Sequence, residues 1–163
     1  MGPQSVRSVP SVRCEWKASR LMNPLFPDPN IFYFKCDLTS NTSIASTASA
    51  VRAMVGHPTV LINNAGVGTA HTILETSDEW LQQIFHVNVI SHFSLIREFL
   101  PAMLEERKGH IVTLASMASY TGTASLADYS ATKAALLGLH ECKSIALVWL
   151  LFSRVQPLST HSL

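Results

Sequence analysis

Tyr129 and Lys133 stand four residues apart, and Ser116 precedes the tyrosine by thirteen. On a helix the first two share a face about one turn apart, so their side chains can reach one pocket. A phenol with an unperturbed pKa of about 10 is a poor base at neutral pH, but an adjacent ammonium favours the phenolate and moves that value toward the working range. This makes Tyr129 a candidate acid/base and Lys133 its modulator. Ser116 can hydrogen-bond a substrate oxygen and hold it against the tyrosine hydroxyl while hydride arrives from the other side. The bland alternative packs the Tyr129 ring on a helix face and leaves the Lys133 amine in water.

Alternating elements must position these groups. Residues 31–35 are β-branched and aromatic and end at Cys36-Asp37, which predicts a short strand and a turn. Thr39 or Ser40 caps a helix through about Val55, with Ile44, Ala48, Val51 and Val55 on one face, and Gly56 closes it. Residues 59–62 form an apolar run of the kind buried on both faces of a parallel sheet, stopping at Asn63-Asn64-Ala65-Gly66. Ser77, with Asp78 and Glu79 after it, opens a long helical stretch toward Glu106 that Pro101 should bend or interrupt near its end. Residues 110–115 read as another buried strand leading to Ser116, and a helix rich in Ala and Leu runs from about Leu126 to at least Cys142. This alternation argues for an α/β fold with a parallel sheet. In such sheets ligands bind beyond the carboxyl ends of the strands, where Asp37, residues 63–66 and Ser116 fall.

With 163 residues, 47% of them apolar, the chain has room for one domain with a buried core. Twelve Lys+Arg against eleven Asp+Glu leave a net charge of +1, which supplies no field to concentrate nucleic acid or an anionic membrane. A small neutral substrate fits better. Cys14, Cys36 and Cys142 lack the spacing of a zinc site or a disulfide framework, which predicts reduced thiols in an intracellular, cytoplasmic protein. The seven histidines include no pair at ligand spacing beside a carboxylate, so no metal site is expected and surface or satisfied polar roles are. No signal peptide is expected, and the longest purely apolar run, residues 145–152, falls well short of the roughly 20 residues that span a bilayer. Residues 1–30, with five prolines at Pro3, Pro10, Pro24, Pro27 and Pro29, keep no periodicity and read as an irregular segment.

Four segments, Asn63-Asn64-Ala65-Gly66, Asn88 within His86-Val87-Asn88-Val89, Ser116, and Tyr129-Ser130-Ala131-Thr132-Lys133, follow one another in an order and spacing that resemble the short-chain dehydrogenase/reductase family over roughly residues 31–141. The wording of Cys36-Asp37-Leu38-Thr39 and Gly109-His110-Ile111-Val112-Thr113 is most similar to the retinol and hydroxysteroid dehydrogenase-like branch, which acts on lipophilic alcohols. The resemblance implies a Rossmann-like, doubly wound parallel sheet, NAD or NADP as cofactor, and hydride transfer between a small alcohol and its carbonyl. It implies that Ser116 orients the carbonyl, that Tyr129 donates or accepts the proton, and that Lys133 lowers the Tyr129 pKa and binds the nicotinamide ribose hydroxyls. Asn88 would sit at a helix irregularity that positions a relay water. Asp37 would contact the adenine ring, and Asn64, Ala65 and Gly66 would line the cofactor and steady the sheet. Without the resemblance, Asn88 merely satisfies a neighbouring backbone group, and Asp37 and Gly66 serve turns. Ser119 and Ser125 lie in the same loop as Ser116 and compete for its role.

The family's first βαβ unit carries a Gly-rich turn whose amides hold the cofactor pyrophosphate. Here no glycine occurs between Gly2 and Gly56. The residue after strand two that selects NAD or NADP is missing with it, and no Pro-Gly turn follows Cys142. The expected organisation is therefore an irregular segment at 1–30, an incomplete Rossmann-like catalytic core at 31–142 lacking the first βαβ unit and the C-terminal strands, and a divergent tail at 143–163, as in a chain truncated at both ends. In the doubly wound order, strands one and two separate 31–35 from 59–62, so the former has no neighbour and the latter shows an unpaired edge. Residues 11–18 offer at most a makeshift strand.

Three functional readings follow. One is a dehydrogenase using Asn88, Ser116, Tyr129 and Lys133. The second is a non-catalytic fragment that keeps these residues without a phosphate cradle and acts as an interaction partner through its long helices, which could also pair two copies. The third is an epimerase or dehydratase on the same scaffold, which product analysis separates. Peripheral membrane or lipid-droplet attachment stays open to a full-length family member.

Overall fold

The structure, a computed structural model, describes residues 31–153, and from residue 143 onward the backbone alone. The sequence readings for 1–30, including the strand at 11–18, and for 154–163 lie outside it.

Helix α1 (Asn41–Val55) starts where expected. The Ser40 side chain accepts from the Ser43 N–H, and Gly56 closes the helix at φ 79°, a left-handed conformation suited to glycine. Ile44 and Ala48 are buried, whereas Val55 lies past the core and is exposed. Ahead of α1, residues 31–35 do not form the expected strand. No strand lies beside them among the described residues, and β propensity without a ladder partner leaves the backbone merely extended. Side chains of α1 hold this stretch instead: Thr47 Oγ1 donates to the Lys35 carbonyl, and Ser43 Oγ accepts from the Asp37 N–H.

Strands β1 (Val60–Asn63) and β2 (His110–Thr113) pair in parallel, Val60 against His110 through Asn63 against Thr113. The expectation that residues 59–62 are buried on both faces holds for one face only. Leu61 and Asn63 turn inward, whereas Val60 and Ile62 are 52% and 60% exposed, because the described helices cover a single side of the sheet.

Between the strands run α2 (Asp78–Phe85), a π-helical turn at His86–Ile90, and α3 (Ser91–Glu105). The irregularity falls at Asn88, and Pro101 does not end the helix. Phe99 and Met103, buried on either side of that proline, carry α3 on to Glu105. After β2, a short 3₁₀ turn (Met117–Ser119) leads to α4 (Ala127–Ser153), which continues well beyond Cys142. The core joins Ala48 of α1, Ile96, Phe99 and Met103 of α3, and Ile111 of β2, with Leu61 and Leu139 packed against it. Arg52 ties α1 to α3 by donating to both the carboxylate and the carbonyl of Glu98. The described residues form an α/β unit with a two-stranded parallel sheet. No helix among the described residues is long and apolar enough to cross a membrane.

Candidate active site

The site lies past the carboxyl ends of β1 and β2, closed by the first turns of α4 and by the π turn. Tyr129 and Lys133 sit on one face of α4, with the Lys133 Nζ 5.6 Å from the centre of the tyrosine ring. Lys133 is 4% exposed, and its Nζ donates to the Leu114 carbonyl just beyond β2 at 2.9 Å. Burial pushes the Lys133 amine below the usual lysine range. A solvated amine, the alternative left open by the spacing alone, is not what folds.

Asn88 is fully buried. Its Oδ1 accepts from the Val67 N–H, while its Nδ2 donates to the Val67 carbonyl and to Thr132 Oγ1, at 2.8 to 3.0 Å. Thr132 Oγ1 in turn donates to the Tyr129 carbonyl. One carboxamide thus joins the π turn, the loop after β1 and the turn of α4 that carries Tyr129. An asparagine satisfying a backbone group and an asparagine at a helix irregularity are here the same residue.

Gly66 lies within this arrangement. A Cβ at its position would stand 3.4 Å from Lys133 Nζ and 3.5 Å from Asn88 Oδ1, so a side chain there would fill the space beside the ammonium. At Gly68 a Cβ would come within 3.0 Å of the Tyr129 ring. Asn64 is exposed and Ala65 half-buried on the same turn.

Ser116 caps the 3₁₀ turn, its Oγ accepting from the Ala118 N–H, and that turn packs against α4. Ser119 completes the cap from the other side, its Oγ accepting from the Ser116 N–H, which gives this competitor a structural task of its own. Asp37 lies apart, exposed before α1, where its carboxylate accepts from the Thr39 N–H and hydroxyl. It forms a turn of the kind aspartate makes with the residue two ahead.

Two features escaped the sequence reading. Trp80 of α2 donates from Nε1 to the Asp128 carboxylate at 2.8 Å, both side chains being buried, while Asp128 Oδ1 accepts from the Tyr129 N–H. His92, one of the histidines expected at the surface or fully satisfied, is completely buried; its Nε2 meets the Ala65 carbonyl at 3.1 Å and its Nδ1 has no partner. The available signal was its place four residues after Asn88 and four before Ile96, on the stripe that enters the core.

Parallel strands lead into a glycine turn that lies against the buried Lys133 of the next helix, beside the half-buried Tyr129, in an α/β protein. The family profile described as short chain dehydrogenase matches residues 14–147, and the chain belongs to that family. The match begins ahead of the stretch in which the motifs become legible. The chain is 47% identical to the dehydrogenase RED3 of Cochliobolus heterostrophus over 112 residues, which are 69% of this chain and 57% of that protein. It is 42% identical to retinol dehydrogenase 10 of Homo sapiens over 114 residues, 70% of this chain and 33% of that one. It therefore spans between a third and somewhat over half the length of these relatives. Among solved structures, a short-chain dehydrogenase from Streptomyces avermitilis superposes with a TM-score of 0.68 at 33% identity, covering 71% of this chain and 42% of that one. A metagenomic short-chain oxidoreductase in complex with NADP gives 0.67 at 34% identity, covering 70% and 52%.

Proposed function

We propose that this chain carries the catalytic portion of a nicotinamide-dependent oxidoreductase that interconverts an alcohol and a carbonyl, with Tyr129 as acid/base. The observation that carries this reading is the buried Lys133 ammonium, anchored on Leu114 and lodged against the Tyr129 ring. An amine is not taken out of water without a task that repays its desolvation.

The residues present fit the nicotinamide end of a dinucleotide. Gly66 keeps the space beside Lys133 open, and an ammonium has three donors, of which Leu114 occupies one. Lys133 would hold the ribose hydroxyls, Asn64, Ala65 and Gly66 would line the cofactor, and Asp37 would meet the adenine. A bound NAD or NADP supplies or accepts hydride at the substrate carbon. In reduction, the Tyr129 hydroxyl gives its proton to the substrate oxygen and becomes the phenolate; in oxidation the phenolate takes the alcohol proton and becomes the hydroxyl. The Lys133 charge stabilises the phenolate oxygen left behind, and the low dielectric around it strengthens that effect. Ser116 hydrogen-bonds the substrate oxygen, and Asn88 positions a relay water. The likeness to retinol dehydrogenase 10 and the wording around Cys36 and Gly109 support a lipophilic alcohol as substrate.

A second reading, a non-catalytic chain that acts as an interaction partner, draws on the lack of any glycine between Gly2 and Gly56 to cradle a pyrophosphate. Titration of the full chain with NAD and NADP, followed by Trp emission, separates the two. Saturable quenching or enhancement is expected, and silence at millimolar concentrations of both would favour the second reading. Given binding, Tyr129→Phe should lower turnover of long-chain or steroid alcohols by about 10²–10⁴-fold, and an unchanged rate would remove Tyr129 from the mechanism.

A further inference from the structure

His92 and Asn88 project from neighbouring turns of one helix and grip the two residues that flank Gly66. Asn88 holds both backbone groups of Val67. His92 meets the carbonyl of Ala65 through Nε2 at 3.1 Å. Gly66, whose Cβ position lies 3.4 Å from Lys133 Nζ, is thus pinned on either side. We infer that His92 is a positioning residue for the proposed dinucleotide site: as a neutral imidazole protonated on Nε2 it holds the Ala65 carbonyl, and so sets the turn against the Lys133 ammonium.

The tautomer follows from the hydrogen bond. A carbonyl oxygen accepts only, so the facing nitrogen must carry the proton. With the proton on Nδ1 instead, two lone pairs would oppose each other at 3.1 Å, and a donor would be buried at an atom that has no partner. A doubly protonated ring would leave that same donor unmet and add a second cation near Lys133. A bare lone pair on Nδ1 is the least costly of the three. The residue is fully buried and touches no solvent through which another arrangement could be satisfied.

The inference rests on the oxidoreductase reading for its consequence, but not for its test. Long-range nitrogen–proton correlation spectra of the 163-residue chain at pH 7 should show His92 neutral, with its proton on Nε2. A cationic ring or an Nδ1 proton would overturn the inference. His92→Gln keeps an amide donor near the place of Nε2, whereas His92→Leu removes it. In the Leu variant, hydrogen exchange at the Val67 amide should accelerate about tenfold, the loss expected for one hydrogen bond, and the Gln variant should restore protection. Where dinucleotide turnover is measurable, the Leu variant should raise the dinucleotide KM by a similar factor and leave kcat within about twofold, with rescue by Gln. Equal exchange at Val67 and equal KM in both variants would overturn the role. Should the Leu variant fail to fold, the tautomer and the Gln variant still decide. Should the native chain bind no dinucleotide, the oxidoreductase reading fails while the spectra and the exchange rates still judge His92.

Discussion

Four residues of spacing allow a tyrosine and a lysine to meet, but the burial of the amine is what gives that meeting chemical weight. Lys133 leaves water with its Nζ on Leu114, and the same enclosure holds His92 below the usual imidazole range: burial pulls its pKa down, the Ala65 hydrogen bond partly opposes this, and the Lys133 charge adds to it. A histidine whose native pKa is depressed binds its proton later in the folded than in the unfolded state as pH falls. Its contribution is therefore fully present above about pH 6.5, the ordinary unfolded value, and is lost as pH drops through the lower native one. Urea unfolding across pH 4.5 to 8 should show stability falling below about pH 6.5. His92→Gln should flatten that part of the slope. Identical slopes in the two proteins would assign the transition to other groups.

At the scale of elements, the sequence is read most securely where a local rule acts. Ser40 and Ser77 cap α1 and α2 because hydroxyl side chains satisfy the first free N–H groups whatever the rest of the chain does. Pro101 was expected to act locally too, and here the packing of Phe99 and Met103 overrides the missing N–H. The π turn at His86–Ile90 is invisible to periodicity and is expected only from the family resemblance; within it Asn88 donates to Val67 and Thr132. The Trp80 to Asp128 hydrogen bond joins α2 to the first turn of α4, next to Tyr129. Trp80→Phe keeps an apolar ring but leaves a buried carboxylate oxygen short of its donor. It should destabilise the protein by about 1–3 kcal/mol in denaturant unfolding. A loss under about 0.5 kcal/mol would mean that another group or water reaches Asp128.

For the molecule as a whole, the single-sided cover of the sheet dominates. Parallel sheets are ordinarily buried on both faces, yet Val60 and Ile62 stand open on a strand whose outer edge pairs with nothing among the described residues. An exposed apolar strand edge of this kind is a template for association. Ile62→Lys should change stability by no more than about 0.5 kcal/mol, as at other exposed positions, while lowering concentration-dependent light scattering. A strongly destabilised variant would show that this face is covered in solution. The sequence by itself determined the family, the order of helices and strands from Asn41 onward, and the candidacy of Asn88, Ser116, Tyr129 and Lys133, because these depend on residue type and short spacing. Only the tertiary structure decided that Lys133 is buried, that Asn88 and His92 clasp the turn around Gly66, and that residues 31–35 form no strand. Burial and strand pairing depend on partners far away along the chain, and no local pattern carries that information.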